Sequence, residues 1–405
     1  MSVIAIFRQS AVDLKLKNVQ DSVGSLRACS PLPFPNGGAF HDPRKVAHMT
    51  VSGLLQSLAF LCLIPSAMAQ LFTITDLGTL GGAASHAMSI NVRGEITGYS
   101  DTPTPNETGA FLWSPTRGLS GMGSLGGSYS AGLGISDWGF VVGVSSTPHD
   151  SSRRAFLWMK SVGMQDLGTL GGTNSMASAM SVGRGITGCA DTAGDVSSHA
   201  FLLTWQGTMQ DLGGLGGSSS CGLAISPFFS VAGFAYLAGD SLHHAFLWRK
   251  LTGLQDLGTL GGNNSKALGI DIHNRVVGWA QISGDAAQHA FLWTHVRGMQ
   301  DLGTLGGNNS EAFGVIFPLG EEFEWVVGQS DLPNSSTTHA FLWTDLFGMQ
   351  DLNALIPPAS GWELYSATAI SRTEEIVGYG SINGAVHAFL LTLKQARPSV
   401  TSTRK

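Results

Sequence analysis

An all-β fold built from seven similar modules is what this sequence predicts, on three observations. A phrase ending in Leu-Gly-Gly recurs about every 45 residues, a second phrase, His-Ala-Phe-Leu-Trp, recurs with the same spacing, and 54 glycines and 15 prolines are spread through 405 residues. Fixed periods of this size belong to solenoids or propellers. The segments between the Gly, Pro, Asn and Asp clusters are too short for helices and suit strands of four to six residues.

The first phrase, Asp-Leu-Gly-Thr-Leu-Gly-Gly, begins at Asp76, Asp166, Asp256 and Asp301, with variants at Gly121, Asp211 and Asp351. The second is centred on Phe111, Phe156, Phe201, Phe246, Phe291, Phe341 and Phe389. Between them stands an apolar pair before glycine, as in Val276-Val277-Gly278. Each unit therefore reads as four strands: an Ala-x-x-Ile stretch such as Ala267 to Ile270, the Val-Val-Gly stretch, the His-Ala-Phe-Leu-Trp stretch, and Met-Gln-Asp-Leu.

In the third strand, His289, Phe291 and Trp293 alternate with Ala290 and Leu292, so both faces carry apolar groups. An outer sheet of a sandwich would show polar residues on one face, whereas a small sheet stacked between two similar sheets would not. Four-stranded sheets repeated around a channel meet this demand, and the expected architecture is a seven-bladed β-propeller. The last unit lacks a fourth strand after His387 to Leu391. The segment Phe72 to Leu77 alternates like a strand without a partner of its own, so it is expected to join Ala388 to Leu391 and close the ring. An open solenoid, the rival arrangement, would keep these two segments apart.

Along the chain, residues 1–45 carry no repeat. Residues 46–69 read as a signal peptide, with an apolar run from Leu54 to Ile64 and the small-x-small site Ala67-Met68-Ala69 before Gln70. Eleven residues are too few to span a bilayer as a helix, so no membrane span is expected after cleavage. Residues 70–394 form the propeller, and 395–405 a disordered tail. The location expected is secreted, extracellular or periplasmic, and the protein is expected to be monomeric. Of four cysteines, Cys189 and Cys221 follow the cleavage site and occupy different repeat positions, so they are expected to be unpaired, buried thiols.

Composition bears on function. Charged residues make up 12% of the chain and the net charge is −6, a poor match to a phosphate backbone, so nucleic-acid binding is disfavoured. No Gly-x-Ser-x-Gly elbow, His-Glu-x-x-His or paired-cysteine zinc spacing occurs. Gly121 to Gly126 matches a dinucleotide fingerprint, but no helix can follow it. No cofactor, no metal and no catalytic residue is assigned.

Two sets of residues carry the structural and binding expectations. Histidines 199, 244, 289 and 339 precede aspartates 211, 256, 301 and 351 by twelve residues, across a hairpin; Arg154 and Asp166 keep that spacing. The pairs His199 and Asp211, His244 and Asp256, His289 and Asp301, and His339 and Asp351 are expected to contact one another across strands. His387 would then meet Asp76. Where the histidine is replaced by Gly109, the aspartate is replaced by Gly121. Separately, Asn263, Asn264, Asn308 and Asn309 in the Gly-Gly linkers share one rim with Asp195, Asp240, Asp285 and Asp331 in the loops between second and third strands. These eight are the candidate ligand-binding residues, for a carbohydrate or a partner protein; the same residue types also make good turns. The expansion from Pro318 to Glu324, with Glu321, Glu322 and Glu324, reads as a solvated loop.

Together the three phrases resemble the HAF repeats of bacterial extracellular proteins, over residues 71–393. The resemblance implies a secreted or surface-exposed protein without an established activity. The expected function is therefore an exported, non-catalytic propeller with a binding or structural role. The alternative is a glycan hydrolase or lyase using rim carboxylates, which would need two acids converging in a cleft.

Overall fold

A computed structural model describes residues 71–394 except 205–206, 319–322 and 336. The upstream segment, the expected signal peptide, Glu321, Glu322 and residues 395–405 lie outside the described residues. The described residues form seven four-stranded antiparallel sheets arranged as the blades of a propeller. Blade 1 contains Ser85–Ile90, Ile96–Asp101, Thr108–Ser114 and Gly118–Gly121, and blades 2 to 6 repeat that order.

Blade 7 closes the ring. Its first three strands, Trp362–Ile370, Ile376–Ile382 and Ala385–Leu393, come from the end of the chain, and its fourth, Phe72–Asp76, from the beginning. Phe72 pairs with Leu393 and Asp76 with Phe389. The Leu77 amide extends the ladder to the Ala388 carbonyl at 3.0 Å. An open solenoid is thereby ruled out.

Burial explains the apolar pattern on both faces of the third strand. Ala245 and Leu247 of blade 4 share one cluster with Phe291 and Trp293 of blade 5, and Ala290 and Leu292 of blade 5 meet Phe341 and Trp343 of blade 6. The same contact closes the circle, where Ala388 and Leu390 of blade 7 meet Phe111 and Trp113 of blade 1. The seven phenylalanines of this strand are fully buried, each contributing about 2–3 kcal/mol by area removed from water.

The glycine of the second strand is demanded by close approach. In blade 5 the first strand bulges between Ala267 and Gly269, which drives the Lys266 carbonyl against Gly278; a Cβ there would lie 1.9 Å from that oxygen. Six serines, Ser85, Ser130, Ser175, Ser220, Ser265 and Ser310, tie neighbouring blades together. Ser265 Oγ accepts from the Ala245 amide of blade 4 at 2.8 Å and donates to the Gly258 carbonyl of the incoming linker at 2.5 Å. These two backbone groups would otherwise be buried without partners.

Three expectations are corrected. In blades 3, 4 and 5 the first strand begins at the Gly-Gly itself, at Gly171, Gly216 and Gly261, so the linker asparagines 174, 263 and 264 lie within strands. Cys189 and Cys221 are not free thiols but a disulfide, with Cα atoms 4.6 Å apart. Cys189 lies on the second strand of blade 3 and Cys221 on the first strand of blade 4, and packing of adjacent blades brings these different repeat positions together. Glu324 is not in a solvated loop, because its carboxylate pairs with Arg275 of blade 5 at 2.7 Å.

The antiparallel order gives the disc two distinct faces. Turns joining first to second and third to fourth strands emerge on one, called here the lower face. Loops joining second to third strands, and the linkers between blades, emerge on the upper face.

Candidate ligand-binding face

The His-Asp set occupies the outer part of the upper face. His199 Nδ1 lies 2.8 Å from Asp211, His244 Nδ1 2.9 Å from Asp256, His289 Nδ1 2.8 Å from Asp301, and His339 Nδ1 2.7 Å from Asp351. His387 Nδ1 lies 3.0 Å from Asp76. The register sets Phe201 opposite Asp211, so the histidine two residues earlier reaches the carboxylate diagonally on the same face. The aspartate has a second duty: Asp211 Oδ1 accepts from the Gly213 amide at 2.7 Å, holding the turn into the next blade. Arg154 stands 4.0 Å from Asp166. In blade 1 the Leu80 side chain approaches both Gly109 and Gly121, which explains their joint departure from the pattern: an apolar group fills the space of the pair. Each of these contacts stays within its own blade. Among the described residues no three His, Cys, Asp or Glu side chains gather as a metal would require.

The rim candidates are engaged in turn bonds. Asp195 accepts from the Thr173 amide at 2.6 Å and from its hydroxyl at 2.6 Å, and these bonds hold its carboxyl below the usual range. Asp240 accepts from the Ser218 amide at 2.6 Å, and Asp285 from the Asn263 amide at 2.7 Å and also from the Asn263 side chain. Asp331 accepts from Asn309 Nδ2 at 2.8 Å. Asn264 Oδ1 caps the His243 amide at 3.0 Å while its Nδ2 donates to Gln281 at 2.9 Å. Asn309 Oδ1 caps the Gln288 amide at 3.1 Å. Asn308 lies in the bend before the first strand of blade 6. The seven candidates other than Asn308 fix loops to linkers, and the carboxylates of blades 3, 4 and 5 do not converge with one another through any of these bonds.

A different set, closer to the axis on the same face, carries the chemistry that the repeat leaves free. The residue after the second-strand glycine is of six different types in seven blades: Tyr99, Val144, Cys189, Phe234, Trp279, Gln329 and Tyr379. It meets the first strand of the next blade. Tyr379 meets His86 at 4.5 Å between ring centroids, Cys189 bonds Cys221, and Lys266 Nζ sits 4.4 Å above the Phe234 ring. The disulfide is thus one version of a contact that other blades make with aromatic and cationic groups.

Blades 4 to 6 concentrate this chemistry. Phe234 meets Tyr236 and His243 edge to face at 6.2 and 5.6 Å, Tyr236 and His243 are tilted at 5.5 Å, and His243 continues edge to face to Trp279 at 5.8 Å. All four rings are half-buried. Burial, then the neighbouring Lys266, lowers the His243 pKa from its usual range; burial lowers that of Lys266. Burial raises the Glu311 carboxyl above the ordinary carboxylate range, opposed by a hydrogen bond from Gln288 Nε2 at 2.6 Å and by the charge of Lys266. Next to them an open cavity of about 380 Å³ is lined by Gln288, Asn309, Glu311, Gln329 and Asp331. Clustering of perturbed groups beside a cavity marks a candidate site. The sequence held one signal for it, a varied and mostly large residue between a constant glycine and a small residue.

No protein-family model and no curated sequence matches the chain. Among solved structures it is similar to TolB from Acinetobacter baumannii, with 11% identity over 75% of this chain and 80% of that one, at a TM-score of 0.40. It is also similar to Kuenenia stuttgartiensis hydrazine synthase, with 10% identity over 67% of this chain and 45% of that one, at 0.44. A putative gluconolactonase gives 10% identity over 82% of this chain and 98% of that one, at 0.41. The chain therefore spans less than half the length of the hydrazine synthase chain. Likeness at this level carries no inference about chemistry.

Proposed function

We propose that this is an exported, non-catalytic propeller that binds an extracellular carbohydrate through the inner upper face of blades 4 to 6. One observation carries the reading: a chain of half-buried rings, Phe234, Tyr236, His243 and Trp279, runs across the upper face of blades 4 and 5, and blades 5 and 6 of the same face hold a cavity edged by amides and a carboxylate, Gln288, Asn309, Gln329 and Glu311. Sugars present apolar C–H faces that stack on such rings and hydroxyls that pair with such amides and acids, and binding sites combine apolar walls with a few placed polar groups. The similarity to the HAF repeats and the apolar run before Ala69 support export. The rim acids support the loops instead of reaching outward, so the contact surface is assigned to the inner ring. A glycan array probed with the purified protein tests the reading. Binding that Trp279→Ala weakens tenfold or more supports it, and an array without hits, or hits indifferent to Trp279, contradicts it.

A second reading is favoured by the position of Glu311 and Asp331, which line the same cavity. A carboxyl whose pKa burial raises, with a second carboxyl on the same cavity, is the kind of pairing glycoside hydrolysis uses. Release of reducing sugar from a glycan that binds, abolished in Glu311→Gln, would replace the first reading with this one.

A further inference from the structure

The two faces of the disc differ in charge and in exposed apolar groups. Among the described residues, ten of the thirteen lysines and arginines stand on the lower-face turns or at the strand ends bordering them, whereas sixteen of the twenty-three Asp and Glu stand on the upper side. Eight of the nine large hydrophobic side chains that are exposed also lie on lower-face turns. Leu251 is 97% exposed, Val296 92%, Phe228 76%, Trp138 62% and Val162 55%.

Three outer turns combine both features within a few residues: Lys160 with Val162, Lys250 with Leu251, and Val296 with Arg297. Lys160, Lys250 and Arg297 are exposed and make no ion pair among the described residues. By contrast, the cations nearer the axis are partly neutralised, as where Arg93 pairs with Glu95 at 2.7 Å and Arg275 with Asp271 at 2.7 Å. Isolated exposed hydrophobes need no explanation, but a set confined to one face marks an interaction surface. Turn tips that carry an apolar group beside an unneutralised cation fit a layer with anionic headgroups outside and hydrocarbon beneath.

We propose that the lower face docks peripherally on a membrane surface containing anionic lipid, with the apolar turn tips entering the headgroup region and Lys160, Lys250 and Arg297 pairing with lipid phosphates. No helix among the described residues is long and apolar enough to cross a membrane, and the contact requires none. The upper face, with its candidate ligand site, would then point away from the bilayer.

Fluorescence of Trp138 supplies the test, because residues 1–69 contain no tryptophan and the apolar run from Leu54 to Ile64 cannot mimic its signal. The full chain is mixed with vesicles of phosphatidylcholine, with or without phosphatidylglycerol, carrying brominated acyl chains. The expected result is quenching on the anionic vesicles that is absent in Trp138→Phe. Affinity should fall roughly fivefold for each of Lys160→Glu, Lys250→Glu and Arg297→Glu, and also in Leu251→Asp. These exposed substitutions should leave thermal unfolding unchanged. Vesicle binding without Trp138 quenching would assign the contact to residues 54–64 and overturn the proposal. Equal binding to neutral vesicles, or affinity indifferent to the charge reversals, would overturn it too. Absence of any vesicle binding would equally overturn it, and would point to a protein as the occupant of this face.

Discussion

Asp76 and His387 stand 311 residues apart in the chain and share a hydrogen bond of 3.0 Å. Five residues of the first strand pair in register with the last, so this bond repeats across the chain ends the contact that other blades make inside one hairpin. The Asp76 carboxylate also accepts from the Gly78 amide at 2.8 Å, so the closing strand leads directly into the first linker.

Closure makes the fully buried Phe72 a core residue of blade 7. Phe72→Ala should cost about 3–5 kcal/mol, read as a lower denaturation midpoint. Thr73→Ala, at an exposed position of the same strand, should cost under about 1 kcal/mol. Equal costs would argue against a buried closing strand.

The disulfide joins residues 32 apart in sequence. Chain-entropy arguments give a bridge closing a loop of that size about 3–4 kcal/mol. Cys189→Ser with Cys221→Ser should therefore unfold at a clearly lower denaturant concentration than the oxidised protein. Non-reducing peptide mapping should recover 189 linked to 221, and recovery of both as free thiols would refute the pairing.

Ser265 holds two buried backbone groups. Ser265→Ala should cost about 1–3 kcal/mol by leaving the Ala245 amide and Gly258 carbonyl without partners. Gly278→Ala, which forces a Cβ into the Lys266 carbonyl, should cost at least as much. Denaturant titration of both variants against the parent checks the claim.

Much of this was legible in the sequence, and the rest was hidden for one physical reason. Seven phrases at constant spacing announced the blades, the missing fourth strand after Leu391 announced closure, and the joint loss at Gly109 and Gly121 announced the His-Asp contact. Each of these is a relationship within one repeat or between chain ends. What stayed hidden lies between repeats. Cys189 and Cys221 occupy non-equivalent positions that meet only because one blade's second strand packs against the next blade's first. The serine staple bonds a neighbouring blade in the same way, and linker asparagines reach back to the preceding blade, as Asn264 of blade 5 caps the His243 amide of blade 4. A pattern read along one strand cannot report which face of the neighbour it will meet.

Two groups with opposite responses set the pH dependence of stability. His86, against Tyr99 and Tyr379, has its pKa lowered from 6.5 mainly by burial. The unfolded chain then binds the proton more tightly, so the His86 contribution holds above about pH 6.5 and is lost as pH falls below it. Glu311 is raised by burial, so the native state holds its proton more tightly, and its contribution is present at acid pH and lost as pH rises through the raised value. Thermal unfolding scanned across pH should show a weaker acid-side decline in His86→Phe, and a steeper one in Glu311→Gln. Parallel profiles for all three proteins would contradict the assignment.

Hydrogen exchange followed by mass spectrometry tests ring closure most directly, by comparing peptides covering residues 72–77 and 385–393. Joined in one sheet, both should exchange slowly and lose protection together in Phe72→Ala. Rapid exchange of 72–77 beside a protected 385–393 would contradict closure, and with it the account of the fold.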